Sequence, residues 1–134
     1  MILDSIKALL LANAGVSSLV DTRIYEESVP RDFSLPAVVY QTVLASGEYT
    51  FEGSADPNEI HIQFDFYANT PAQARAVQDA VRAVLENLTG HLSSYTVLGS
   101  FWQFDQDMPR ETAINNVTTG SRKMSQVNIL YLGA

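Results

Sequence analysis

No cysteine occurs anywhere in the chain, which excludes disulfides, thiolate metal sites and a thiol nucleophile. Basic residues are also scarce. Eight Lys and Arg stand against 15 Asp and Glu, a net charge of −7, and only Arg122 and Lys123 are adjacent. Such a chain on balance repels a phosphate backbone, so direct nucleic-acid binding, sequence-specific binding included, is disfavoured, whereas the passage of DNA nearby is not. No run approaches the ~20 apolar residues of a membrane span. The N-terminal MILDSIKALLLANAG has Asp4 ahead of Lys7 instead of a basic leader, so it does not read as a signal peptide, and synthesis in the cytoplasm with no membrane partner is expected. Internal repeats, low-complexity tracts and the GxSxG, HExxH, P-loop and GxGxxG motifs are all missing from the sequence.

What is present is concentrated in residues 58–88. In NEIHIQFDFYA, Ile60, Ile62, Phe64 and Phe66 alternate with Glu59, His61, Gln63, Asp65 and Tyr67, the period of a strand with one buried face. A slip of one residue would expose all four apolar side chains, so the register is well specified. The following TPAQARAVQDAVRAVL reads as a helix whose start is marked by Thr70 as cap, Pro71 at the first helical position and Gln73 closing a capping box. Val77, Val81, Val84, Leu85 and Leu88 make its apolar stripe, with Arg75, Gln78, Asp79, Arg82 and Glu86 largely away from it and Gly90 as a left-handed stop.

Elsewhere, a first helix begins near Asp4, carries Ile6, Leu9, Leu10 and Leu11 and ends at 13–15. A short helical turn with Val16, Leu19 and Val20 inward precedes a brief strand at 23–25, and a loop with Pro30 and Pro36 follows. Residues 37–44 form an apolar, β-branched strand expected to be covered on both faces for part of its length. Strand pieces are expected at 94–98 and 100–104 around Gly99, and a last strand at 123–132 with Met124, Val127, Ile129 and Tyr131 inward. The order predicts one α+β domain over residues 1–134: two layers, a mostly antiparallel or mixed sheet, and two main helices on one face. Loops or arms are expected at 45–59, with Glu48, Glu52 and the alternating Tyr49 and Phe51, and at 105–122, with Asp105, Asp107 and Arg110.

The polar set Glu59, His61, Gln63 and Asp65 admits a metal or acid/base reading, with His61 and Asp65 as its centre. Alternation alone places the same groups on the uncovered face of a sheet, and residues two apart on a strand are roughly 6 to 7 Å apart, awkward for one shared ion. His91 follows a helix-ending glycine and reads as a surface or cap-region side chain. Ser17, Ser18, Ser93 and Ser94 fit local backbone caps. Phe101, Trp102 and Phe104 could stack bases or sugars, but Asp105 and Asp107 beside them argue against nucleic acid; of Phe101 and Trp102, whichever faces inward is core and the outward one is an interface anchor.

The segments LLLANAGVSSLVDTRIY, LPAVVYQ, EIHIQFDFYANTPAQARAVQDAVRAVL and SRKMSQVNILYL, in this order, resemble the tail completion or tail terminator (tail-to-head joining) proteins of long-tailed bacteriophages and prophages. The resemblance implies an α+β protein that is not an enzyme, needs no cofactor and sits in the virion at the head-proximal end of the tail. It further implies a homo-hexameric ring that caps the tail tube, ends its polymerisation and meets the tube protein on one face and the head connector on the other. Another neck protein, or a small metal-dependent enzyme using His61 and Asp65, are the alternative readings. On the assembly reading, Glu48, Tyr49, Phe51, Glu52, Asp105, Asp107 and Arg110 are the candidate subunit contacts.

Overall fold

A computed structural model of the protein describes residues 2–27, 34–46, 58–92, 95–107 and 121–132. In chain order these form α1 (Ile2–Ala12), α2 (Ala14–Val20), β1 (Ile24–Glu26), β2 (Ala37–Ser46), β3 (Asn58–Ala68), α3 (Pro71–Leu85), β4 (Gly90–Leu92), β5 (Tyr95–Asp107) and β6 (Ser121–Leu132). All six strands belong to one sheet, ordered β1-β2-β3-β6-β5-β4. Only β1 and β2 run parallel; every other neighbour is antiparallel. The fold is therefore α+β with a mixed sheet.

The alternation in β3 decides which face is covered. Ile60, Ile62, Phe64 and Phe66 are fully buried, and they meet Val77, Val81 and Leu85 of α3, Val127 and Ile129 of β6, and Ile2, Leu3, Ile6, Leu10, Val16 and Val20 of α1 and α2 in one core. Phe64 sits at its centre, with ring centroids 6.1 Å from Tyr40, 6.2 Å from Phe66 and 6.5 Å from Trp102. Helix α3 lies on β3 and β6, α2 rests on α3, and α1 packs on α2, so all three helices serve one face of the sheet.

The entries of α2 and α3 are encoded locally. Thr70 Oγ1 accepts from the Gln73 N–H at 3.1 Å while Gln73 Oε1 accepts from the Asn69 N–H at 3.0 Å, so the reciprocal bond reaches one residue further back than a standard box. Asn13 ends α1 and caps α2, its Oδ1 accepting from the Val16 N–H at 3.2 Å, at a bend of 84° between the two helices. No single helix among the described residues is long and apolar enough to cross a membrane.

Four expectations change. Gln78 is buried, not solvent-facing, because its amide donates to Ser125 Oγ of β6 at 2.8 Å. Helix α3 is stopped by Asn87 at φ 61°, and Gly90 at φ 99° opens β4, a strand the sequence pattern does not announce. The two pieces around Gly99 are one strand, β5, with bulges between Val97 and Gly99 and between Trp102 and Phe104. In β6 the helix-facing positions are Lys123, Ser125, Val127 and Ile129, with Tyr131 half-buried in the same set; Met124 falls on the opposite face, as strict alternation requires.

Strand β2 is covered on both faces from Ala37 to Tyr40 and exposed from Gln41 to Val43. The Tyr40 ring is 3% exposed and its hydroxyl bonds Glu26 of β1. Burial, with Glu26 and Asp4 nearby, pushes its pKa from 10.0 up to about 12. The folded chain thus keeps a proton that the unfolded chain loses first, a stabilisation present below pH 10 and lost as pH rises to about 12. Alkaline denaturation followed from pH 9 to 12 should be shallower for Tyr40→Phe than for the parent chain, with equal slopes excluding this role. Leu85→Ala, which empties a fully buried site on α3, should cost about 3 kcal/mol in urea unfolding.

Candidate interaction surface

The face of the sheet away from the helices holds the even-numbered positions of β6 and the odd-numbered ones of β3, because these alternate with the core residues. Its surface changes character from one end to the other. At the end near β1 it is closed: Val39, Asp65 and Tyr67 are buried, and the Arg122 guanidinium lies 5.4 Å from the Tyr67 ring centroid. Arg122 Nη2 donates to Asp65 Oδ1 at 3.1 Å, and Gln63 Nε2 donates to Asp65 Oδ2 at 3.2 Å. In the middle, Gln41, Gln63 and Gln126 stand in one cross-strand row, and the Gln126 amide donates to Asn128 Oδ1 at 3.1 Å. Towards β5 the face becomes apolar and accessible, with Phe101 51%, Phe104 40% and Leu132 39% exposed.

The His61 and Asp65 pairing expected of a metal or acid/base centre is not assembled. His61 Nε2 is 2.7 Å from Glu59 Oε1, Asp65 is engaged by Arg122, and four residues along a strand separate the two by about 13 Å. Among the described residues no three His, Asp or Glu side chains gather as metal ligands. Sequence alternation also treats Asp65 and Tyr67 as open-face groups, whereas the Arg122 side chain, 57 residues away from Asp65, covers them.

On the helix face a second polar group ties α3 to β5 and β6. Asp105 accepts from Trp102 Nε1 at 2.7 Å, from Ser125 Oγ at 2.7 Å and from Arg82 Nη1 at 2.9 Å. Arg82 also pairs with Glu86 at 2.8 Å and lies 5.8 Å from the Trp102 ring centroid. Its pairing with Glu86 raises the Arg82 pKa and lowers that of the carboxyl. Trp102 is therefore the inward aromatic and Phe101 and Phe104 the outward ones, and the Phe101 ring lies over Gly99, where a Cβ would come within 2.9 Å of it.

Of the candidate subunit contacts, Asp105 is placed in this network, at a side-chain exposure of 36%. Asp107 ends β5 opposite Lys123 in β6. Glu48, Tyr49, Phe51, Glu52 and Arg110 lie outside the described residues, as do Ser93 and Ser94. His91 is exposed, its Nδ1 3.5 Å from Thr96 Oγ1. What sequence reasoning missed is the Gln78, Ser125, Asp105 and Arg82 linkage, whose members are polar and far apart in the chain. Ser125 and Asp105 stand on strands with many other polar residues, so nothing in the sequence marks them out.

These features define a small α+β protein with a helix-backed sheet whose other face is polar at its centre and apolar near one edge. The chain belongs to the family described as tail completion protein gp17, whose model matches residues 4–119. Among 24 matching solved chains is one from the virion of a native gene transfer agent particle. It is 17% identical, with a TM-score of 0.65 over 96% of this chain and 92% of that one, and so shares the fold. No curated protein matches the sequence. Family membership makes this a structural protein of the phage-type virion tail, with a role in tail assembly.

The two polar clusters differ in consequence. Asp65→Asn removes a 7%-exposed carboxylate that accepts from both Arg122 and Gln63 and should destabilise the fold by about 3 kcal/mol. Glu59→Gln, at a pair whose carboxylate is 41% exposed, should cost under about 1 kcal/mol. Equal losses in urea unfolding of the two variants would contradict this ranking.

Proposed function

We propose that the protein caps the finished tail tube as a homo-hexameric ring, ends tube polymerisation and joins the tail to the head connector. The observation that carries this reading is the open sheet face, which leaves Phe101 and Phe104 accessible beside a neutral glutamine row. Exposed large apolar groups in one region are a mark of contact surfaces. The family assignment gives that surface its context in a tail. The acidic balance of −7 suits a ring through which DNA passes, since a basic lumen retains DNA through counterion release.

On this reading the ring contacts come from residues 45–59 and 105–122. Glu48, Tyr49, Phe51 and Glu52 act from the first segment, and Asp105, Asp107 and Arg110 from the second. The tube protein and the head connector are the partners on the two ring faces. Ring subunits of this kind must not stack without limit, so self-association is weak in isolation and strengthened on a tail tube.

Electron micrographs of particles assembled with and without the protein test the role. Overlong tubes in its absence are the expected result. Tails of normal length that fail to join heads would instead assign it to the connector side of the neck. Tails that are normal in length and joined would remove both roles.

A further inference from the structure

We infer that Asp105 is a positioning residue: from the helix side of β5 it sets the phase of the strand, so that Phe104 joins Phe101 on the open face. This deepens, and rests on, the contact surface proposed above.

Strict alternation gives β5 a different pattern. Trp102 stands opposite Val127 on the helix side, and an antiparallel ladder continued without a break would set Gln103 opposite Gln126, Phe104 opposite Ser125 and Asp105 opposite Met124. Phe104 would then face the helices and Asp105 the open side. The bulge between Trp102 and Phe104 makes Gln103 an extra residue, and every residue after it changes side. Phe104 stands opposite Gln126 and Asp105 opposite Ser125 instead. Phe101, opposite Asn128, is set before the bulge, with its ring over Gly99. The two phenylalanines thus occupy adjacent rows of one face, 51% and 40% exposed.

Hydrophobic burial alone favours the uninterrupted phase, which would cover a phenylalanine and expose a carboxylate. What opposes it is the set of bonds that Asp105 makes on the helix side. Its Oδ1 accepts from Trp102 Nε1 and from Ser125 Oγ, both at 2.7 Å, and its Oδ2 accepts from Arg82 Nη1 at 2.9 Å. The Trp102 bond spans the bulge. Ser125 is fully buried, so an Asp105 turned to the open face would leave the serine hydroxyl and the indole N–H without this acceptor. Gln103 is exposed and its amide donates to the Phe101 carbonyl at 3.4 Å, so the side chain of the extra residue does little to fix the bulge. One carboxylate therefore both closes the bulge and holds it in place.

Removal of Gln103 is the informative change, because a strand without the extra residue puts Phe104 opposite Gln126 and Asp105 opposite Ser125 by alternation alone. In the isolated protein, cross-strand contacts read by NMR should pair Phe104 with Gln126 in the parent chain and in Asp105→Asn, whose Oδ1 can still accept from Trp102 and Ser125, and with Ser125 in Asp105→Ala. A Phe104 to Gln126 pairing retained in Asp105→Ala would overturn the assignment. On purified tails, Phe104→Ser and Asp105→Ala should each weaken binding about tenfold, and the two together no further than either alone. Losses that multiply would make Asp105 a direct contact and overturn its positioning role. Deletion of Gln103 from Asp105→Ala should restore both the pairing and the binding, an outcome that neither a direct contact nor a merely stabilising bond would give. Should Asp105→Ala not fold by itself, the same deletion decides, since failure to recover would overturn the phase-setting role. Phe104→Ser that binds tails as well as the parent would overturn the contact surface, while the NMR pairing judges the phase separately.

Discussion

The alternation of β3 against β6 is the constraint on which the rest of the molecule depends. Their ladder runs unbroken from Asn58 opposite Tyr131 to Ala68 opposite Ser121 at the centre of the sheet. It fixes which side chains face α3, because a strand presents alternate residues to opposite sides. Once Ile60, Ile62, Phe64 and Phe66 are committed to the helices, the positions between them have only the other face. The register that builds the core therefore also composes the surface.

The two faces are specified differently. The helix side is closed mainly by dispersion and apolar burial, with polar groups paired as in the Gln78 to Ser125 to Asp105 chain, the buried Ser100 hydroxyl being the exception among the described residues. This chain holds α3 at one rotation over the sheet, since sliding the helix would leave a buried amide and hydroxyl without partners. Among the described residues the open side has no covering layer of helices, and its polarity runs from a closed ion pair near Tyr67 to accessible phenylalanines at Phe101 and Phe104. Such an arrangement leaves accessible apolar side chains on one side of a protein of the tail completion family.

How far each part was legible follows from how local its cause is. The Thr70, Pro71 and Gln73 start of α3 was readable because capping involves neighbours in sequence. The stop lies at Asn87 and not at Gly90, since Asn also tolerates a left-handed conformation and comes first in the chain. Met124 was placed on the wrong side by its hydrophobicity, against a period that Lys123 and Ser125 obey. The brief β4 carries too few residues for any pattern, and exists only because β5 offers it an edge. Trp102, the more polar-tipped aromatic, turned inward because Asp105 accepts its N–H there.

The sequence by itself determined the fold class, the central strand and helix, the sides of Ile60 to Phe66, and the likeness to tail completion proteins, because periodicity and capping are written in adjacent residues. Only the tertiary structure decided the strand order, the burial of Asp65 beneath Arg122, and the separation of His61 from Asp65. Each of these depends on which distant strands become neighbours, and that choice is made by the packing of the whole sheet against its helices rather than by any one segment.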